Sequence, residues 1–288
     1  MSGERLTDCA VGSLGILGDR GWALRDEKTG EITNGKRIPL LMQCAARYCE
    51  EPSEGMIPQV EITCHDGALI RSDDEDVNER LSAALGKTVS LWPLQPATNK
   101  AHYRRASVMS RLSRFKVVRD QLPRMMRLPK MDTQVREMFG REPAEPLPDL
   151  LQLPPEVLEF TSPLGTYFDA FPIHVLTTAS IETMRRFNPS AAWDVRRFRP
   201  NFLIETEAGI EGLLEAGWSG RRLCIGNVEL KCEIPTVRCG MTTHAQGDLP
   251  KDPSVLRSIV RDAEQNLGVY ASVSESGPVA VGDRVELA

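Results

Sequence analysis

The stretch Leu223-Cys-Ile-Gly-Asn-Val-Glu-Leu-Lys-Cys232, followed by Glu233-Ile-Pro-Thr-Val-Arg-Cys-Gly-Met-Thr-Thr243, decides how this chain is read. Its first half is strand-like, and Pro235 is expected to end the strand. The chain then delivers Cys239 between Arg238 and a Gly-Met-Thr-Thr run. Positive charge and backbone N–H groups lower a thiol pKa, and a thiolate suits a soft metal. Taken alone, Cys239 reads more readily as a buried structural cysteine. Its company changes that reading. Upstream, Phe198-Arg-Pro-Asn201 adds a second guanidinium and an amide. Cysteine, two arginines, asparagine and threonine together suit a soft metal carried on an anionic, phosphate-bearing cofactor.

Outward from this stretch the pattern is mostly β. Ile173 to Thr177, Phe202-Leu-Ile-Glu and the final Val279-Ala-Val-Gly-Asp-Arg-Val-Glu-Leu287 read as strands, the last as a pair around Gly282-Asp283. Ser180 is expected to cap a short helix ending near Phe187. A better-marked helix has Asp252 as cap, Pro253 at its first position, apolar residues through Ala263 and a stop at Gly268. Before residue 96 the runs Trp22-Ala-Leu-Arg, Pro39-Leu-Leu-Met-Gln-Cys, Val60-Glu-Ile-Thr-Cys and Ala68-Leu-Ile-Arg are short and apolar or alternating. Thr29-Gly30, Asn34-Gly35 and Asp66-Gly67 punctuate them as hairpins. One helix interrupts, capped by Ser72 or Asp73, with Val77, Leu81 and Leu85 at helical spacing and Gly86 as its stop. Glycines 12, 15, 18 and 21 recur every third residue without a Gly-x-Gly-x-x-Gly, so they read as turns.

Residues 97–155 differ in character. Between 97 and 141 twelve Lys/Arg face three Asp/Glu, a local +9 in a chain of −5, so the remainder carries −14. Val108, Leu112, Phe115, Val118 (or Arg119) and Leu122 give an amphipathic helix with an arginine-rich face; Pro123 and Pro129 break it, and a Pro-rich linker fills 142–155. With little aromatic interleaving, the segment reads as a solvated lid or docking surface rather than a nucleic-acid site.

With 288 residues, 41% of them hydrophobic and 26% charged, the chain has ample material for a large core. No apolar run is long enough to span a membrane, and the first residues lack the apolar core of a signal peptide. Seven cysteines at scattered positions, with no Cys-x-x-Cys, point to a reducing compartment and signal neither zinc nor an iron–sulfur cluster. A cytoplasmic protein is expected.

Phe198-Arg-Pro-Asn201, Leu214-Glu-Ala-Gly-Trp218, Arg222-Leu-Cys-Ile-Gly226, Arg238-Cys239 and Gly282-Asp283 resemble the MOSC domain in order and spacing. Leu17-Gly-Asp-Arg-Gly-Trp-Ala-Leu24 and Thr29-Gly-Glu-Ile-Thr33 are similar to the β-domain that precedes MOSC in amidoxime-reducing molybdoenzymes. The resemblance implies an α+β, mainly β fold. An N-terminal β-barrel-like domain over 1–96 precedes the basic helical insert and linker over 97–155 and a MOSC β-barrel with peripheral helices over 156–288.

What the resemblance implies for the site is specific. Cys239 would be the protein ligand to molybdenum held by molybdopterin, a pyranopterin. Arg20, Arg199, Asn201, Arg238, Thr242 and Thr243 would contact the cofactor, Arg238 through its main chain, with Asp19 orienting Arg20. His244, five residues after Cys239, is the candidate proton donor beside it in a catalytic pair. His174 reads as a satisfied core residue. The family's aromatic-Pro-x-Lys-Ser segment has no counterpart in Met1-Ser-Gly-Glu-Arg-Leu6, which implies either that the start is assigned late or that phosphate binding is weakened, and Phe171 stands where one hydroxyl contact is expected. The implied function is a molybdenum-dependent oxidoreductase acting on small N-hydroxylated or N-oxide substrates. An external ferredoxin-, flavodoxin- or cytochrome-type protein would supply electrons. The alternative is a sulfur-carrier or cofactor-sulfuration module using a Cys239 persulfide.

Overall fold

The structure is a computed structural model describing residues 1–106, 129–150, 154 and 156–288. The helix expected through 108–122 and part of the Pro-rich linker lie outside the described residues. The chain forms two compact units, one of Met1 with residues 20–170 and one of residues 2–19 with 171–288. The architecture is α+β and mainly β, and its sheets include a curled half-barrel.

The chain opens with β1 (Asp8–Gly12) and β2 (Gly15–Ile16), which belong to the second unit. The first unit then holds two three-stranded antiparallel sheets. One has the order β4-β3-β8, from β3 (Trp22–Asp26), β4 (Glu31–Ile32) and β8 (Val89–Pro93). The other runs β5-β6-β7, from β5 (Ala45–Tyr48), β6 (Val60–Thr63) and β7 (Leu69–Arg71). Between them α1 (Val77–Leu85) buries Leu81 and Leu85 in a core with Ile62, Ile70 and Val89. Each such leucine contributes about 1.5–3 kcal/mol by leaving water. Gly86 ends α1 at φ 64°, the left-handed conformation glycine adopts without a Cβ penalty. The unit also contains α2 (Lys100–Tyr103), α3 (Pro129–Phe139) and α4 (Glu156–Glu159).

Several expectations for this unit need correction. Pro39-Leu-Leu-Met-Gln43 is a 3-10 helix, not a strand. Proline has no N–H to give a ladder but fits a first helical turn. Asn34-Gly35 leads into that helix rather than a hairpin: the Asn34 carbonyl accepts from Arg37 and Ile38, and its side chain from Lys36. The N-cap of α1 is Asp76; Ser72 Oγ instead donates to Gln59 and accepts from the Val60 N–H, while Asp73 pairs with Arg71. Pro129, expected to break the helix before it, stands at the first position of α3, where proline fits as it does at Pro39; the residues before it lie outside the described ones.

The second unit is built on a six-stranded sheet of order β10-β9-β13-β12-β11-β15. Its strands are β9 (Ile173–Thr177), β10 (Phe202–Ile204), β11 (Arg222–Ile225), β12 (Val228–Val237), β13 (Asn266–Glu275) and β15 (Val285–Leu287). A smaller sheet joins β1, β2 and β14 (Gly277–Ala280). The strands on either side of Gly282-Asp283 therefore pair elsewhere, β14 with β1 and β15 with β11, and not with each other. The core gathers Ile173, Val175, Leu230, Cys232, Val269 and Ala271, all essentially inaccessible.

Two helices pack at this sheet. Helix α5 (Thr178–Phe187) is capped by Thr177, whose hydroxyl accepts from the Ser180 N–H, so the cap is three residues earlier than expected. Helix α6 (Pro253–Asp262) has the Asp252 cap and the Pro253 start read from the sequence. It ends at Asp262, not Gly268. Gly268 lies inside β13 at φ 90°, where an added Cβ would come 2.3 Å from His174 Nε2 and 2.7 Å from the Val175 carbonyl. That glycine serves close strand approach, not helix termination.

The opening stretch also departs from the expectation. Residues 222–237 are a hairpin turned at Gly226-Asn227, and Pro235 lies within β12 instead of ending it. The ladder with β11 stops at Arg222↔Lys231, Cys232 still bonds Gly220 and Arg221, and Pro235 is paired with Val269 of β13. A proline is tolerated within a sheet at a bulge, where the regular ladder is already interrupted. The register with β13 shifts on both sides of Pro235, as at a β-bulge.

A buried carboxylate ties α5 down. Glu215, 1% exposed in the 3-10 turn Leu214–Gly217, accepts from the Thr177 N–H and the Ser180 hydroxyl. Burial raises its pKa against these donors. Glu215→Ala strands the Thr177 N–H, at about 1–3 kcal/mol, and leaves the Ser180 hydroxyl only the longer bond to the Gly212 carbonyl at 3.4 Å. A clear fall in the urea midpoint is expected, and an unchanged midpoint would show that water replaces the carboxylate.

Candidate functional site

Strand β12 runs out at Val237, and the next residue turns inward. The Arg238 N–H donates to the Gln265 carbonyl at 2.9 Å. Its guanidinium is buried, donating to the Phe198 carbonyl at 2.9 Å, approaching His174 Nε2 at 3.3 Å and stacking 5.3 Å from the Phe198 ring. Because guanidinium only donates, His174 Nε2 accepts and its proton sits on Nδ1. His174 is thus a bonded core histidine, 5% exposed. Arg238 is a strut between β12, β9 and the 198–201 segment.

Cys239 follows in extended conformation and caps the 3-10 turn Gly240–Thr243, with His244 at the turn's other end. At roughly 2 Å per residue, the two backbones lie on the order of 10 Å apart. The turn is closed by its own hydroxyls. Thr242 Oγ1 donates to the Cys239 carbonyl at 3.0 Å, and Thr243 Oγ1 to the Gly240 carbonyl at 2.7 Å. Both threonines are buried. The Cys239 thiol is half-buried and makes no hydrogen bond to any described residue.

What fixes this turn in space is Arg197, which the sequence reading passed over. It is 1% exposed at the end of the 3-10 turn Val195–Arg197. Nε donates to Ala192 at 2.8 Å, Nη1 to the carbonyls of Thr242 at 3.3 Å and His244 at 3.1 Å, and Nη2 to Pro250 at 2.7 Å. Four carbonyls from two segments converge on one cation. Desolvation lowers its pKa, opposed by Asp252 and Asp194 nearby. Asp252 adds a further tie, its carboxylate accepting from the Ala192 N–H at 2.7 Å while it caps α6.

Asn201 is equally engaged. Its Oδ1 accepts from the His174 N–H at 2.9 Å, its Nδ2 donates to Asp19 at 2.9 Å, and its own N–H donates to the His174 carbonyl at 2.8 Å. The amide fastens 198–201 to β9 and to the end of the N-terminal segment. Asp19 therefore carries Asn201. Phe171, where a hydroxyl was expected, packs 5.6 Å from the Tyr270 ring.

Arg199 has φ 54°, one of four non-glycine residues with positive φ among those described; Arg20 at φ 53° is another. Such strain costs on the order of 1–3 kcal/mol and collects where function requires it. Arg20 belongs to the first unit, with its guanidinium 5.4 Å from the Phe168 ring. Glu205 and Glu207 are exposed.

The residues can be set against a molybdenum cofactor. A half-buried thiol without a hydrogen-bond partner fits a soft metal. Among the described residues no three His, Cys, Asp or Glu gather to hold a metal. The side chains of Asn201, Arg238, Thr242 and Thr243 already have partners within the protein, and so does the Arg238 N–H. They shape the site more than they offer free donors.

Burial lowers the His244 pKa, with Lys251 adding to the effect; burial also lowers that of His102 in the first unit, with Arg25 adding to it. His102 Nε2 lies 2.8 Å from the Tyr167 hydroxyl, which itself donates to the Pro93 carbonyl, so the ring nitrogen is the donor. A histidine whose folded pKa lies below its unfolded value binds more protons when unfolded, so stability rises with pH. These contributions are complete above the ordinary value of 6.5 and are lost as pH falls below it. NMR titration of the two imidazoles is expected to give midpoints below 6.5, and a midpoint above it would reverse the sign.

No helix among the described residues is long and apolar enough to cross a membrane. No curated protein matches the chain. Among solved structures, the YuaD protein from Bacillus subtilis is similar at 18% identity, covering 42% of this chain and 65% of that one, with a TM-score of 0.33. YiiM from Geobacillus stearothermophilus is similar at 15% identity over 41% of this chain and 54% of that one, with a TM-score of 0.30. The chain spans less than two thirds of the length of either. The model of the MOSC domain, a family associated with molybdenum cofactor binding, matches residues 165–286. The second unit, from β9 through β15 and including Cys239 and its turn, thus carries a MOSC domain.

Proposed function

We propose that the MOSC domain binds a molybdenum cofactor through Cys239, and that the protein reduces small N-hydroxylated or N-oxide substrates. The observation that carries this reading is the Cys239 thiol itself. It has no hydrogen-bond partner among the described residues, while the polar groups of Arg238, Asn201, Thr242 and Thr243 around its chain segment are engaged.

When bound, the cofactor supplies two-electron oxygen-atom chemistry at a thiolate-ligated metal. Cys239 would hold the metal, with Arg199 offering positive charge to the phosphate of the pterin. Arg238, Asn201 and Arg197 keep the cysteine and its turn in place. Removing one substrate oxygen as water consumes two protons and two electrons. Electrons come from an external ferredoxin-, flavodoxin- or cytochrome-type protein. His244 is neutral near pH 7 because burial disfavours its cation. It can pass a proton to the departing oxygen after taking one from solvent, more readily as pH falls.

The test is metal analysis with pterin fluorescence on protein from a cofactor-competent host, together with intact mass. Molybdenum and pterin approaching one per chain support the reading. A sulfur adduct on Cys239 without molybdenum would replace it with the sulfur-carrier alternative.

A further inference from the structure

Two other cysteines meet inside the first unit, far in sequence from Cys239. Strands β5 and β6 pair antiparallel with Ala45 opposite Thr63, which places Cys44 opposite Cys64 one step further along. Cys44 is itself extended, at φ −92° and ψ 148°. The ladder's parity follows from its far end, where the Cys49 N–H donates to the Gln59 carbonyl. Counting in twos, 49/59, 47/61 and 45/63 are hydrogen-bonded pairs, and 44/64 is a non-hydrogen-bonded pair. The backbone agrees: the Cys44 N–H goes to Leu41 and the Cys64 N–H to Ala68, neither to the other.

Non-hydrogen-bonded pairs bring Cα atoms to about 4.5 Å with side chains on one face, within the roughly 4.4–6.8 Å a disulfide needs. The thiols do face each other. The two thiols interact with each other, the His65 backbone lies against Cys44, and Cys44 Sγ donates to the Leu40 carbonyl at 3.4 Å. Both are buried, at 1% and 3% exposure. Strand β5 is the edge of its sheet, so opening one edge admits a small oxidant.

We propose that Cys44 and Cys64 form a reversible dithiol–disulfide site, closed by a peroxide and reopened by a dithiol reductant. Cys44 attacks the peroxide, becomes a sulfenic acid and releases water. Cys64 then attacks that sulfur, forming the S–S bond and releasing a second water; two thiols are oxidised and one hydrogen peroxide is reduced. Burial raises both thiols, but at Cys44 the His65 N–H and the Cys64 thiol oppose the rise, so Cys44 takes the first step. Cys64, whose burial pushes its pKa up to about 11, is the resolving partner.

The experiment treats the native full chain with hydrogen peroxide, blocks free thiols after denaturation and maps peptides. A cross-link of the Cys44 and Cys64 peptides, lighter by two hydrogens and cleaved by dithiothreitol, is expected in wild type and in Cys49→Ser. In Cys64→Ala, dimedone should label Cys44. Two fully alkylated thiols after treatment that oxidises exposed Cys49 would overturn the proposal. So would a bond from either residue to a different cysteine.

Discussion

Cys239→Ser is expected to leave the fold intact and strip the protein of molybdenum. The thiol makes no hydrogen bond to a described residue, so its loss strands no partner in the apo protein, and oxygen for sulfur is a small change at a half-buried position. A serine hydroxyl is a harder donor and stays protonated at neutral pH, whereas a thiolate is reached readily. Changes outside the first coordination sphere alone cost about 10–100-fold in metal affinity, and removing the ligand should cost at least that. Circular dichroism and the apo unfolding midpoint should match wild type, while metal per chain falls to background and reductase activity disappears with it. Cys239→Ala should behave the same way. Full molybdenum occupancy in either variant would remove Cys239 from the metal and leave the proposed function without its central residue.

Local signals carried much of the fold. Asp252-Pro253 starts α6 because a cap and a proline act through their own backbone, and Gly86 ends α1 for the same kind of reason. Failures arose where partners lie far along the chain. Whether Pro235 ends β12 depends on whether a bulge already interrupts its ladder with β13, and Gly268 resembles a helix stop until His174 is seen beside it.

The site divides in the same way. Cys239 could be singled out from residue types and the MOSC resemblance, and residues 165–286 do match that family. Burial, however, redistributes its neighbours. Arg196 and Arg197 are adjacent and identical in type. Arg196 lies at the surface with Asp194 and Asp248, whereas Arg197 lies inside with four carbonyls. Nothing in the spacing of two consecutive arginines tells which one turns in.

Replacing that inner arginine is the second large effect expected. Arg197→Met keeps much of the side-chain volume but leaves the carbonyls of Ala192, Thr242, His244 and Pro250 without this donor. Hydrogen bonds from a charged donor contribute about 1.5–3 kcal/mol each, and removing the centre of a buried polar network typically costs about 3–5 kcal/mol. The gain from no longer burying a cation offsets part of this. A net loss of several kcal/mol is therefore expected in the second unit, read as a lower urea midpoint. Arg197→Lys should recover only a fraction, because one ammonium cannot match a fork that reaches three directions. The loss should also be local in kind. With residues 242–250 released from 192–197, the turn that starts at Cys239 loosens, and alkylation of its thiol under native conditions should accelerate. Buried Cys232, in the sheet core, serves as the internal control. Faster alkylation at Cys239 alone would identify Arg197 as the residue that positions the cysteine. Equal acceleration at both would mean that Arg197 only stabilises the unit as a whole.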